Sequence, residues 1–353
     1  GRGSSGDRQL AIVSSDGVST PVSIVIPAHN QFEYCQQCIE SIRAHTDYPY
    51  KLILVDNGST DGVAQYFDLV PGATVVHSKT NIGFPAGVNL GLAHATGHVL
   101  LLNSDTIVPV GWIARLVAAL ESAPRIGIVG PMSNHVSGPQ LIPDLQLANV
   151  DQINDIADQR WEKYGGRLLE VERVVGFCML VRDTAFAAVG NLDESFGIGN
   201  FEDDDYCLRV RKAGFRVCIA EDCFVFHYGS RTFSALGFDN ESFNALIAKN
   251  EATFNAKWGT ESGAPRAVQV AEGLLAEARQ LESEGKNAAA VGKIKDAIAM
   301  APCHAPAFYQ LGQLLLHLGN RQQAAEQFHR VLRLDPSCDD AQQQLAILNT
   351  IPQ

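Results

Sequence analysis

Four clusters of polar side chains stand where this chain could do chemistry. Three of them each follow a short apolar run. Pro27-Ala28-His29-Asn30 follows Val22 to Ile26, Asp56-Asn57-Gly58-Ser59-Thr60-Asp61 follows Lys51 to Val55, and Asn103-Ser104-Asp105 follows His98 to Leu102. Singly, each is a turn-forming sequence, since Asp, Asn, Gly and Ser are the residues that turns use. Jointly they make one rim, because open α/β sheets gather their ligands at the carboxyl ends of the strands. The fourth cluster, Glu202-Asp203-Asp204-Asp205, opens an amphipathic helix that ends near Ala213-Gly214. Helix N-termini stabilise carboxylates, which accounts for some of these acids. His227 follows a strand-like run, Cys223 to Phe226.

The elements that must position these side chains are legible as alternating strands and helices. Val22–Ile26, Lys51–Val55, Thr74–Val76 and His98–Leu102 read as strands; Tyr34–His45 and Pro85–Ala95 read as helices. This alternation predicts a parallel sheet wrapped on both faces, and strands apolar throughout are what burial on both sides requires. From Ser133 to about Arg173 the pattern weakens into an irregular excursion, with one helix near Ile153 to Tyr164. Excursions of that length often serve as substrate lids. Val174 to Val181 then reads as an apolar stretch and Asp183 to Val189 as a helix.

The chain has 353 residues, a hydrophobic share of 46% and a net charge of -12. That balance disfavours nucleic acid and anionic membrane as whole-surface partners. Anionic substrates stay open, because a bound metal can supply the positive charge. No run of about 18 apolar residues is present, so no transmembrane span is expected. The eight cysteines are scattered without a framework and read as free thiols in a reducing, cytoplasmic compartment. Cys35 and Cys38 form a C-x-x-C with no second pair at zinc spacing, and read as one side of a half-buried helix. Residues 1–20 read as a flexible leader, 21–260 as the α/β domain and 267–353 as a separate helical module.

That module repeats with a period of 34. The offset maps Ala271 onto Ala305, Leu281 onto Leu315, Gly285 onto Gly319, Ala290 onto Ala324 and Pro302 onto Pro336. A period of 34 with small residues at fixed places is the signature of tetratricopeptide repeats. Gly312 and Ala324 let paired helices approach closely, whereas Glu277 stands at an expected apolar position. Asp339 to Asn349 supplies one capping helix. Two and a half repeats bury little surface alone, so the module is expected to dock on the preceding domain or to continue in a longer chain. It is read either as a structural unit or as a holder of a protein partner.

Six segments carry a resemblance. They are Val22 to Asn30, Leu54 to Asp61, Asn81-Ile-Gly-Phe-Pro-Ala-Gly-Val-Asn-Leu-Gly91, Leu101 to Asp105, Gly176 to Leu180, and Phe201-Glu-Asp-Asp-Asp-Tyr-Cys-Leu-Arg209. In this order they resemble glycosyltransferase family 2, in its bacterial rhamnosyltransferase-like group, over about Pro21 to Phe233. The resemblance implies the GT-A fold and transfer from a UDP- or dTDP-linked sugar. It implies a nucleotide-sugar site at Pro27, Ala28, His29, Asn30, Asp56, Asn57, Asn81, Gly83, Asn89, Asn103 and Ser104. Gly176, Phe177 and Cys178 would line the sugar, with Cys178 as a wall, and Arg231 would meet the diphosphate. Asp105 and His227 would hold Mn²⁺ or Mg²⁺. Asn57 and Asn103 depart from the family's pattern, each standing where many members carry an acid. The family's inverting members place their base in the acidic run, which matches Asp203, with Glu202 as runner-up.

Three functions follow. The first is an inverting, metal-dependent enzyme acting on a protein acceptor of flagellin or adhesin type, held by the repeats. The second keeps the chemistry but uses a glycan or lipid-linked acceptor in surface polysaccharide synthesis, in the cytoplasm or at the membrane periphery. The third is an inactive GT-A scaffold, supported by Asn103 and opposed by the intact Asp56, Asp105 and Asp203.

Overall fold

The computed structural model describes residues 20–142, 145, 147, 149–229, 240–259, 266–301, 304–334 and 338–350. Almost all of the expected leader, the 260–265 boundary, Arg231 with Ser230 and Thr232, Pro302, Cys303 and Pro336 lie outside the described residues.

The chain opens as the alternation predicts. β1 (Val22–Ala28) leads to α1 (Phe32–His45), β2 (Tyr50–Asn57) to α2 (Val63–Asp68), and β3 (Thr74–Ser78) to α3 (Phe84–Leu92), before β4 (His98–Leu102). These four strands are parallel in the order β3-β2-β1-β4, so their carboxyl ends share one edge. Alternate side chains feed two cores: Ile24, Ile26, Leu52 and Leu54 face one, and Val25, Ile53 and Val55 face the other. Apolar cover on both faces explains the lack of polar alternation along these strands.

The second half departs from a wholly parallel sheet. After β5 (Thr106–Ile107), α4 (Trp112–Glu121) and β6 (Ile126–Met132), the excursion supplies a 3-10 turn at Gly138–Gln140, α5 (Ile153–Tyr164) and β7 (Leu168–Val171). β8 (Cys178–Val181) then enters antiparallel between β4 and β6, pairing Cys178 with Leu102. The full sheet is mixed, in the order β3-β2-β1-β4-β8-β6-β9-β7. An apolar run reads alike in either direction, so the sequence holds no sign of this reversal. Its consequence is local: a descending β8 delivers Gly176 and Phe177 to the rim. α6 (Asp183–Val189), α7 (Glu202–Lys212), β9 (Arg216–Phe224) and β10 (Phe226–His227) complete the unit, and β10 pairs with β5 as a separate ribbon. Much of the excursion is anchored, since α5 packs on β9 and Arg160 on it donates to Glu221 O.

Among the described residues, six helices follow in the order α8 (Asn240–Trp258), α9 (Arg266–Ser283), α10 (Asn287–Met300), α11 (Ala305–His317), α12 (Arg321–Leu334) and α13 (Asp339–Thr350). The last five share their own core, including Ala278, Ile294, Leu311, Ala324 and Phe328. Gly312 is needed there, because a Cβ would meet the Phe328 ring at 2.7 Å. Glu277 is exposed and pairs with Lys293 at 2.8 Å, while its neighbour Ala278 is buried. Among the described residues, no helix is long and apolar enough to cross a membrane.

The β2–β3 register sets Asp56 beside His77. His77 Nδ1 lies 3.1 Å from Asp56 Oδ2, and Nε2 lies 3.0 Å from Asp68 Oδ1. An imidazolium satisfies both carboxylates, so its bond to Asp56, then that to Asp68, raises the His77 pKa. The resulting stability is fully present below the unfolded value of about 6.5 and is lost as pH rises through the higher folded value. Solvent keeps it small, since the side chain is 42% exposed. His77→Gln should therefore lower the melting temperature most at pH 6, with the gap narrowing by pH 8.5. A gap independent of pH in paired thermal scans would contradict this account.

Candidate active site

The nucleotide side of the rim is laced together by its own polar groups. Pro27 and Ala28 end β1, and His29 Nδ1 donates to Asn57 O at 2.9 Å. Asn30 and Gln31 turn the chain with φ of 60° and 66°. Asn30 N donates to Ser59 Oγ at 2.9 Å, and Asn30 Oδ1 accepts from Thr60 N at 2.7 Å. The turns after β1 and β2 are thereby fixed to each other. Asp56 Oδ1 accepts from Ser59 N at 2.8 Å. With His77 on Oδ2, about half of the carboxylate's lone pairs stay uncommitted.

Three asparagines expected to meet the nucleotide are engaged in shaping loops. Asn57 Nδ2 donates to Asn81 Oδ1 at 3.1 Å and Gly83 O at 3.0 Å, and Asn57 Oδ1 accepts from Ile82 N at 3.0 Å. Asn81 Oδ1 also takes Gly83 N at 2.9 Å. Asn89 donates to Leu192 O and to Glu194 Oε1 and accepts from Leu192 N. Gly83, with φ of 90°, lies so close to the 192–201 segment that a Cβ would sit 2.0 Å from Gly197 O.

The opposite pole is built by the β5–β10 ribbon, whose register pairs Thr106 with His227. His227 Nδ1 donates to His135 O at 2.8 Å. In the neutral ring that bond leaves the lone pair on Nε2. Nε2 stands 3.2 Å from Asp105 Oδ1, close enough for an ion pair but without a well-directed hydrogen bond. Two buried acceptors face each other, and only a proton or a cation between them relieves the repulsion. Burial is the largest influence and works against charging His227, yet the Asp105 carboxylate and the His135 carbonyl together outweigh it and raise the pKa. Burial likewise pushes Asp105 up, but His227 outweighs it and leaves the carboxyl below its usual range. The Phe177 ring stacks on His227 at 5.0 Å and 17°. Asn103 N donates to Phe177 O at 2.8 Å, its Oδ1 is buried without a partner, and Ser104 beside it is buried.

This donor set fits a hard divalent cation that is shared with a ligand. Carboxylate oxygen and imidazole nitrogen suit Mn²⁺, and a His held by a backbone carbonyl is the usual arrangement of a metal-ligating ring. Among the described residues no group of three or more His, Cys, Asp or Glu could hold a metal. Any such ion would take its remaining ligands from substrate and water.

The acidic run divides into four environments. Asp205 is fully buried, with Arg209 Nε at 2.8 Å, Lys257 Nζ at 2.7 Å and Trp258 Nε1 at 2.8 Å. Asp204 pairs with Arg173 at 3.1 Å, while burial lifts its pKa to about 6. Glu202 is 7% exposed, its Oε2 has no partner, and burial, then the Asp203 charge, push its pKa well up. Asp203 accepts from two backbone donors, Gly176 N on Oδ2 and Asp204 N on Oδ1, both at 3.0 Å, and lies in the field of Arg173. Gly176 adjoins Phe177, so one short segment joins Asp203 to the Asp105–His227 pair. Cys178 is fully buried, and burial raises its thiol pKa, as befits a wall.

The segment before this run is unusual. Gly197, Gly199, Asn200 and Phe201 all have positive φ. For Asn200 and Phe201, at 75° and 73°, such a backbone costs on the order of 1–3 kcal/mol each. Sequence reasoning passed over His77, Arg173, Asn250, Lys257 and Trp258. His77 ends a strand on the same rim and so left a signal; the others are joined to the site only by the fold.

Comparison with known proteins shows the family of the fold that carries this site. The profile of Glycosyl transferase family 2 matches residues 23–186, and that of the tetratricopeptide repeat matches residues 305–338. An N-acetylglucosaminyl-diphospho-decaprenol L-rhamnosyltransferase of Mycobacterium tuberculosis is 26% identical over 58% of this chain and 75% of its own. An uncharacterized protein of the same species is 30% identical over 59% of this chain and 74% of its own. An uncharacterized protein of Sinorhizobium fredii is 28% identical over 55% of this chain, which spans only 23% of that relative. Among solved structures, a mannosyltransferase of Pyrobaculum calidifontis in complex with GDP-Man and Mn²⁺ shares the fold. Its TM-score is 0.51, with 18% identity over 96% of this chain and 91% of that one. This chain belongs to glycosyl transferase family 2 and carries a tetratricopeptide repeat behind its transferase unit.

Proposed function

We propose that this chain transfers a sugar, with inversion, from a UDP- or dTDP-linked donor to an acceptor hydroxyl. The observation that carries the reading is the convergence of Asp203 and the Asp105–His227 pair on the single segment Gly176–Phe177. Asp105 and His227 would hold Mn²⁺ or Mg²⁺, which neutralises charge on the departing diphosphate. Asp56, with His29 and Asn30 fixing the neighbouring turns, offers an acceptor for a base imide N–H.

Asp203 is the base by elimination among its neighbours. Asp204 and Asp205 are tied to cations, and burial pushes the Glu202 carboxyl well above its ordinary range, whereas Asp203 is held by the backbone amide of Gly176. Asp203 removes the proton from the acceptor hydroxyl as that oxygen bonds to the anomeric carbon. The bond from that carbon to the diphosphate oxygen breaks, and the nucleoside diphosphate leaves with the electron pair. One in-line displacement inverts the configuration.

The acceptor is read as a protein held by the repeats, because α10 touches the turn at Gly138–Gln140, whose Gln140 side chain accepts from Val175 N beside Gly176. A second reading takes a lipid-linked glycan acceptor. The mycobacterial rhamnosyltransferase favours it, since its name gives a decaprenol-linked acceptor.

A panel of nucleotide-sugars with Mn²⁺ tests the reading; no turnover of any donor and no nucleotide-induced stabilisation would leave the scaffold alternative. Asp203→Asn should slow transfer by about 10²–10⁴-fold, as loss of a general base does. Nucleotide-induced thermal stabilisation should persist in that variant, whereas undiminished transfer would remove Asp203 from the mechanism. In the unsubstituted protein, nucleotide at a hundredfold excess over its Kd should stabilise by about 2.7 kcal/mol. Asp105→Asn and His227→Ala should erase the Mn²⁺-dependent part of that shift, and a retained Mn²⁺ effect would exclude the pair as ligands. Ending the chain after residue 265 should depress transfer to a protein acceptor more than to a small saccharide. Equal losses would reduce the repeats to a stabilising role.

A further inference from the structure

We infer that Asn250, on the helix that follows the transferase unit, is a positioning residue for the catalytic base. The inference rests on Asp203 being that base.

Asn250 is 1% exposed, and its Nδ2 donates to three backbone carbonyls at once. They are Phe196 O at 2.9 Å, Gly199 O at 2.8 Å and Asn200 O at 3.0 Å. An amide nitrogen has two N–H groups, so one proton is shared between two carbonyls. All three acceptors belong to the segment whose residues at 197, 199, 200 and 201 have positive φ. One of these, Phe201, is a bulky side chain that avoids this region, whereas asparagine tolerates it better. The backbone there does not choose its shape locally; something must impose it.

The same helix closes on the segment again through Lys257 and Phe254, and on the start of α7 through Lys257 and Trp258. Lys257 Nζ reaches Asp193 Oδ2 and, at 2.7 Å, Asp205 Oδ1; Trp258 Nε1 also reaches Asp205 Oδ1, and the Phe254 and Phe201 rings lie 5.9 Å apart. From the other side the segment is met by Phe84 N on Ile198 O, and Asn89 holds Leu192 and Glu194. Residues 192–201 are thus gripped between the helix and the nucleotide loop. Their last residue, Phe201, is the N-cap of α7, and Asp203 follows two positions later. Release of the three carbonyls lets Asn200 and Phe201 relax, which turns the start of α7 and draws Asp203 off Gly176 N. Nucleotide contacts at Asp56 and the Asp105–His227 pole are on other segments and should be spared.

The experiment compares the full chain with Asn250→Ala, Asn250→Asp and Asn250→Ser, using the donor that the unsubstituted protein turns over best with Mn²⁺. Asn250→Ala should lower kcat at least tenfold while donor KM stays within threefold. Asn250→Asp, which sets oxygens against the three carbonyls, should be worse, and Asn250→Ser, which keeps one donor, should be milder. Hydrogen exchange should quicken at least tenfold in residues 196–203 but not in β1 or β4. If Asn250→Ala does not fold, the order of kcat loss between Asn250→Ser and Asn250→Asp decides. An unchanged kcat, or a loss confined to KM, overturns the inference, as does unaltered exchange in residues 196–203. If the unsubstituted protein turns over no donor, the transferase reading fails instead.

Discussion

Two lone pairs that cannot face each other unaided govern this site. His227 is committed through Nδ1 to a backbone carbonyl and capped on one face by Phe177, so it cannot rotate its Nε2 away from Asp105. The β5–β10 register fixes the other partner. A fold that spends a two-stranded ribbon and a stacked ring on holding two acceptors 3.2 Å apart has built a place for positive charge. For a chain of net charge -12, a cation seated there would let an anionic ligand be tolerated among so many carboxylates.

The parallel half of the sheet was legible because its strands are buried on both faces and end in polar turns. The rest was harder for stated reasons. β9 carries Arg216, Glu221 and Asp222, which hid all but its apolar end, and β7 is a short edge strand with exposed Leu169 and Glu170. The polar clusters that end β1, β2 and β4 do share one edge of the sheet, but residue type reports polarity and not direction. Asn57, Asn81 and Asn89 look like ligand contacts in the sequence, yet their bonds run to Gly83, Ile82, Leu192 and Glu194. Only the fold decides whether an amide faces a ligand or a loop.

The acidic run makes the same point about charge. Its four carboxyl groups are adjacent in sequence and start with near-equal affinities for protons. Their partners arrive from far away: Arg173 for Asp204, Lys257 and Trp258 for Asp205, and Gly176 for Asp203. Glu202 receives none for Oε2 and is left to burial. Environment thus gives four adjacent carboxyl groups four different sets of partners. The helix N-terminus explains why acids are tolerated there, but not which of them acts.

The repeats enter through the same logic of contacts. They bury a core of their own, so their fold does not depend on filling a gap in the sheet. Yet α10 lies against the turn at Gly138–Gln140, and Gln140 ties Pro131 O to Val175 N, one residue from the amide that meets Asp203. A module joined only by a flexible tether would raise the local concentration of whatever it binds and no more. A module seated on this turn also fixes the direction from which a bound partner approaches. The helices α9–α13 gain from that seat a fixed place beside the rim, and with it a firmness that a short stack of repeats lacks alone.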